Sequence, residues 1–195
     1  MKKEIVNISA SIHQRLLNLS KEVKRPFNDL LFIYANERFL YRLSLSPYRE
    51  KFVLKGAMAI LNLNFEQPRF TRDIDFLGFT DNSVQNIERI VQEICDIQVE
   101  ADGLIFDSAS INGEIIKSSD ENPGVRVFFN AYLGNAKIAN LQVDTGIGDK
   151  VYPQINTTWY QGLLSLPQAE IKIYPLESIL SEKIHTIEQQ DERPV

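Results

Sequence analysis

A chain of 195 residues with 44% apolar and 24% charged side chains has enough apolar material for a core and too balanced a composition for disorder. No apolar run approaches the roughly 18–20 residues of a membrane helix, and the single cysteine, Cys95, excludes an internal disulfide. The net charge of -5 hides an asymmetry: residues 1–72 are net basic and residues 73–195 net acidic. Either the front end meets a polyanion or the two halves neutralise each other.

Ile12, Leu16, Leu19 and Val23 recur at helical spacing, with Ser9 or Ser11 as the expected cap. Pro26 stands where a second helix begins. Leu30, Leu31, Tyr34 and Ala35 give that helix an apolar face; it runs towards Leu43 and ends at Ser46-Pro47-Tyr48. Its aromatic residues, Phe32, Tyr34, Phe39 and Tyr41, read as core and interface rather than as a base-stacking platform. Phe52-Val53-Leu54 is a short strand, and Gly56 marks a strand-to-helix junction ahead of the helix formers Ala57, Met58, Ala59 and Leu61. A turn at Glu66-Gln67-Pro68 leads into R-F-T-R-D-I-D-F, Arg69 to Phe76. Asp81-Asn82-Ser83 offers a cap to a third helical face made by Ile87, Ile90, Val91 and Ile94.

Four β-rich runs follow, starting at Leu104, Gly113, Val125 and Ile138. In the last of them Ala139, Leu141 and Val143 alternate with Asn140, Gln142 and Asp144. Ile171 to Tyr174 reads as one more strand. Pro175 then opens a final helix with apolar Leu176, Leu180, Ile184 and Ile187. This order predicts an α/β (α+β) domain, a mixed sheet flanked by helices, with a helical segment over residues 1–50 and the core over 51–195.

Asp73 and Asp75 pose the chemical question. Asp is depleted from strands. Residues two apart on a strand share a face, about 6.8 Å apart along the axis. Two carboxylates so placed repel unless a cation lies between them, and Mg²⁺ is the hard, oxygen-seeking candidate. The alternative is an edge strand whose aspartates face water. Gly56, at a helix start ahead of the acidic pair, would let a phosphate approach backbone N–H groups, although a tight turn explains it equally well. Asp144 lies on the polar face of its strand; if that strand neighbours Asp73 and Asp75, three carboxylates converge as in a two-metal site, the alternative being an Asp that caps the turn at Thr145-Gly146. Lys183 falls at the border of the last helix's apolar face, where it either snorkels or reaches into a polar pocket to neutralise a phosphate, while Glu182 is expected to point away. Arg69 and Arg72 flank the acidic pair, either to hold phosphate or to balance the aspartates.

FVLKGAMAI, then RFTRDIDF, LQVDTGIGD and YPLESILSEKI, in this order and with ERFLYRLSLSPY upstream, resemble the AbiEii/AbiGii toxin family of nucleotidyltransferase-like proteins. The resemblance implies a polymerase-beta-like nucleotidyltransferase core with Mg²⁺ on Asp73, Asp75 and Asp144. It implies nucleotide contacts from Lys55, Gly56 and Ala57 and a catalytic or nucleotide-contacting Lys183. It further implies an NTP substrate, tRNA or another RNA as acceptor, and a cognate DNA-binding antitoxin. Two departures stand out. Ala57 replaces a second Gly or a Ser, and the chain stops at D-E-R-P-V, so a further C-terminal helical region is expected to be missing. A second reading is a non-catalytic fold that docks an antitoxin or other partner. With no apolar export signal in MKKEIVNISASIHQ, the expected compartment is the cytoplasm.

Overall fold

The computed structural model describes residues 7–62, 71–116 and 123–191. Helix α1 (Ile8–Glu22) leads into α2 (Phe27–Leu45), followed by β1 (Phe52–Lys55), α3 (Gly56–Leu61), β2 (Asp73–Gly78) and α4 (Val84–Cys95). Strands β3 (Leu104–Ile116), β4 (Gly124–Leu133), β5 (Ala136–Gly146), β6 (Asn156–Tyr160) and β7 (Ala169–Ile173) precede α5 (Leu176–Asp191). The strands form one seven-stranded sheet in the order β3-β4-β5-β2-β1-β7-β6. The pairs β2–β5 and β1–β7 are parallel and the others antiparallel, so the sheet is mixed, as the element order predicts.

Helix α2 is buried almost all round from Leu30 to Ser44, the signature of a central helix. It packs with α4 on one face of the sheet, where Phe39 meets Phe106 and Phe129 at ring-centroid distances of 6.1 and 5.2 Å. Each such ring contributes about 1.5–3 kcal/mol by leaving water. Tyr34 and Phe39 are buried, in keeping with their reading as core. Several polar residues of α2 find partners inside, while Asn36 Oδ1 and Arg42 Nε are buried without a hydrogen bond. Arg38 Nε and Arg42 Nη1 reach Asp102 Oδ2 at 3.0 and 2.8 Å. Glu37 accepts the Leu163 N–H at 3.0 Å. Burial pushes the Glu37 carboxyl up to about 8, against the Leu163 hydrogen bond and the Arg38 charge.

Several local expectations are corrected. The α1 cap is Asn7, whose Oδ1 accepts the Ala10 N–H at 2.9 Å; Ser9 instead donates to the Gly103 carbonyl. The runs at Leu104 and Gly113 are one strand, irregular between Asp107 and Asn112. Strand β6 carries Thr157, Thr158, Trp159 and Tyr160, strong β formers that the sequence reading passed over. The turn at Glu66-Gln67-Pro68 and Arg69 lie outside the described residues.

The largest correction concerns α5. Its expected apolar stripe is exposed, at 36% for Leu176, 49% for Leu180 and 57% for Ile184, whereas Ile179 is buried. Helix α5 is fixed by the other side. Ser178 Oγ donates to the Tyr152 carbonyl at 2.7 Å and accepts its N–H at 3.1 Å. Glu182, one turn on, turns inward to Lys55.

Candidate active site

Cross-strand register builds the site. Lys55 lies opposite Asp75 in the β1–β2 pair, Asp75 opposite Asp144 in β2–β5, Asp144 opposite Arg126 in β5–β4, and Arg126 opposite Glu114 in β4–β3. One row across the sheet therefore reads Lys, Asp, Asp, Arg, Glu. Opposite charges face each other everywhere except at Asp75–Asp144, where a like-charged pair is destabilising without a further cation. Asp73 lies two residues from Asp75 on the same face, opposite Gln142. Asp73, Asp75 and Asp144 each place an oxygen within 4.8 Å of the others.

The three carboxyl groups are held differently. Asp73 accepts from the Thr71 hydroxyl. Asp144 receives Arg126 in a two-pronged pair, Nε to Oδ1 at 2.9 Å and Nη2 to Oδ2 at 2.7 Å, and Gln142 Nε2 at 3.1 Å. Its side chain is 14% exposed and that of Arg126 32%. Among the described residues Asp75 has no salt bridge. Burial, then the charges of Asp73 and Asp144, push its carboxyl up to about 7, with Lys55 pulling the other way.

Gly56 explains how Asp75 fits. It has φ +64, and a Cβ built there would lie 2.0 Å from Asp75 Oδ2. Only glycine gives that space and that backbone. Helix α3 is six residues long, so Gly56 supplies room more than a strong helix dipole. Ala57 follows in the first turn of α3. Lys55 Nζ bonds Asp149 Oδ2 at 2.6 Å and Glu182 Oε1 at 3.1 Å. Burial alone would lower the Lys55 pKa, but the Asp149 hydrogen bond and the Glu182 charge raise it. Tyr174 donates to the same Asp149 oxygen at 3.0 Å.

The structure thus brings together Lys55, Gly56, Asp73, Asp75 and Asp144. Arg72 is exposed and lies over the Phe32 ring at 5.5 Å. Lys183 is exposed on α5, and no hydrogen bond or ion pair is described for it. Its neighbour Glu182, expected to point away, faces the site instead. Arg126, Asp149 and Gln142 were missed as site residues. Arg126 was legible as the one cation in the β-rich run at Val125, whereas Asp149 is joined to Lys55 only by tertiary structure.

Three carboxylates within reach of one ion, with a net acidic balance, fit a divalent cation bound through oxygen; Asp75, costly as an anion by itself, gains most from it.

A family profile described as nucleotidyl transferase AbiEii toxin, type IV TA system, matches residues 38–194. The chain belongs to the AbiEii family. Its structure is similar to that of MenT4, a nucleotidyltransferase toxin from Mycobacterium tuberculosis H37Rv, with a TM-score of 0.52 at 14% sequence identity. The match covers 90% of this chain and 57% of that one, so this AbiEii chain spans little more than half the length of its structural relative. At that identity the likeness establishes a shared fold. No curated protein matches the chain.

Proposed function

We propose that this AbiEii chain carries the catalytic core of a nucleotidyltransferase toxin. It transfers a nucleoside monophosphate from an NTP to the hydroxyl of an RNA such as tRNA, in the cytoplasm, under the control of a cognate antitoxin. The observation that carries this reading is the convergence of Asp73, Asp75 and Asp144 beside Gly56. In this reading residues 51–195 are the core that supplies the site, residues 1–50 are the N-terminal helical segment, and its helix α2 packs against strands β5 and β7.

Asp73, Asp75 and Asp144 would hold Mg²⁺. Such an ion, when held there, would supply charge neutralisation and Lewis acidity toward the triphosphate and the attacking hydroxyl. Asp144, fixed on both oxygens by Arg126 and Gln142, orients the acceptor side. Gly56 leaves the room that the Asp75 carboxylate takes beside the first turn of α3, and the backbone N–H of Ala57 is assigned to the triphosphate. Lys55, Arg69, Arg72 and Lys183 are the cations assigned to its phosphates. The acceptor oxygen bonds to the α-phosphorus, the bond from that phosphorus to the bridging oxygen of the β-phosphate breaks, and pyrophosphate leaves. The acceptor proton passes to solvent.

The test incubates the protein with Mg²⁺, each α-labelled NTP and total tRNA, beside an Asp75→Asn control. Label entering RNA with wild type and lost in the control is the expected result. Tight binding of Mg·NTP without transfer to RNA would overturn the choice of acceptor, and failure to bind Mg·NTP would overturn the transferase reading itself.

A further inference from the structure

The face of β4 that looks away from α2 and α4 continues directly from the carboxylates. Val125, Val127, Phe129 and Ala131 of β4 are buried in the core. Between them Arg126, Phe128, Asn130 and Tyr132 point the other way, each partly exposed. Phe128 lies opposite Gln142, whose parallel neighbour is Asp73; Asn130 lies opposite Asn140, and Tyr132 opposite the exposed Lys137. Phe128 and Tyr132 are four residues apart, roughly 13 Å at a strand's rise.

We infer that this face binds the single-stranded 3′ end of an RNA, with bases stacked on Phe128 and Tyr132 and the terminal hydroxyl delivered to Asp144. The inference rests on the transferase reading and adds the track by which the acceptor arrives. Three observations favour this occupant over a protein partner. The two aromatic rings are separated by an amide, not joined into an apolar patch, which suits the π-faces of bases spaced along an extended strand rather than of immediate neighbours. Asn140 Nδ2 donates to Asn130 Oδ1 at 3.0 Å, and the two amides retain further donors and acceptors. A 2′-hydroxyl needs both. Strand β4 also runs from Tyr132, paired across a register shift with Lys137 of β5, which could meet a backbone phosphate, to Arg126 beside Asp144. A duplex would not fit this use, because its bases are already stacked on each other.

The experiment measures binding of a fluorescein-labelled short oligoribonucleotide, in Mg²⁺ without NTP, to wild type and to Phe128→Leu, Tyr132→Leu and Tyr132→Phe. Each leucine variant is expected to bind about five- to a hundredfold more weakly, while Tyr132→Phe keeps the ring and stays near wild type. Binding of Mg·NTP alone should be unchanged in all three, which separates this role from damage to the fold. Photo-crosslinking of a 4-thiouridine strand to wild-type protein should map to Phe128 or Tyr132. Equal binding by the leucine variants, crosslinks confined to other faces, or preference of wild type for duplex would overturn the inference. Equal affinity for single-stranded DNA would overturn the assignment to RNA. Because none of these readouts needs turnover, a protein that binds RNA here yet fails to bind Mg·NTP would refute the transferase reading and leave the track standing.

Discussion

Asp75 is costly to this fold as an anion, and that cost is measurable. Its carboxyl is pushed from 3.8 up to about 7, first by burial and then by Asp73 and Asp144. Between those two values the folded protein holds a proton that the unfolded chain has released. Stability therefore falls as pH rises from about 4 to 7 and levels off above. The full shift corresponds to about 4 kcal/mol; the carboxylate's remaining contact with water reduces the realised figure to about 2–3 kcal/mol. Asp75→Asn removes the titration. In metal-free buffer with a chelator, the variant should match wild type in urea midpoint near pH 4 and exceed it progressively towards pH 8. Added Mg²⁺ should then stabilise wild type and close the gap, because the ion binds the folded anion. A variant that is less stable than wild type at pH 8, or a gap that does not grow with pH, would refute the argument that Asp75 is a desolvated member of a like-charged trio.

Four further outcomes follow from the geometry. Gly56→Ala combines left-handed backbone strain of about 1–2 kcal/mol with a Cβ placed 2.0 Å from Asp75 Oδ2; calorimetric titration should show at least tenfold weaker Mg²⁺ binding with a native far-ultraviolet spectrum. Asp102→Asn leaves Arg38 and Arg42 buried without a counter-charge and should cost about 3–5 kcal/mol in urea denaturation; an unchanged midpoint would show that the arginines find other partners. Glu37, pushed up to about 8 by burial, makes wild type lose stability between about pH 4.5 and 8, so Glu37→Gln should flatten that part of the profile. Lys55→Met strands Asp149 and Glu182 near each other, and hydrogen exchange should show lower protection across α5, which Lys55 ties to the sheet.

Some of this was legible in the sequence and some was not. The alternation in β5 placed Asp144 with Asn140 and Gln142 because a strand has only two faces and one of them is core. Gly56 was visible as a junction, but the reason for it, the Asp75 oxygen lying where a side chain would be, belongs to the packing of α3 on β2. The pairing of Asp75 with Asp144 was a conditional statement in sequence, since parallel neighbours distant in the chain leave no local signature of register. The rotation of α5 went wrong for a physical reason. Leu176, Leu180 and Ile184 form the stripe that amphipathic logic buries, yet the tertiary contacts of Ser178, Ile179 and Glu182 set the orientation. Propensity within one helix does not report where its partners lie.

The charge asymmetry of the chain resolves inside the molecule. Arg38 and Arg42 meet Asp102, Arg49 meets Glu170, and Lys55 meets Asp149 and Glu182. In each case a cation of the basic front meets an anion of the acidic remainder. The reading that the halves neutralise each other therefore accounts for much of the asymmetry, and a polyanion is not required to explain it. The carboxylate trio stands outside this pattern. Among the described residues Arg126 pairs with Asp144, whereas neither Asp73 nor Asp75 forms a salt bridge. At an effective dielectric constant near 20, two charges 4.8 Å apart repel by about 3 kcal/mol, and the trio contains three such pairs. One arginine cannot offset that on two other acids. A fold that pairs its interior charges elsewhere, yet gathers three carboxylates beside a glycine that a methyl group would spoil, offers a set of oxygens that could hold a divalent cation.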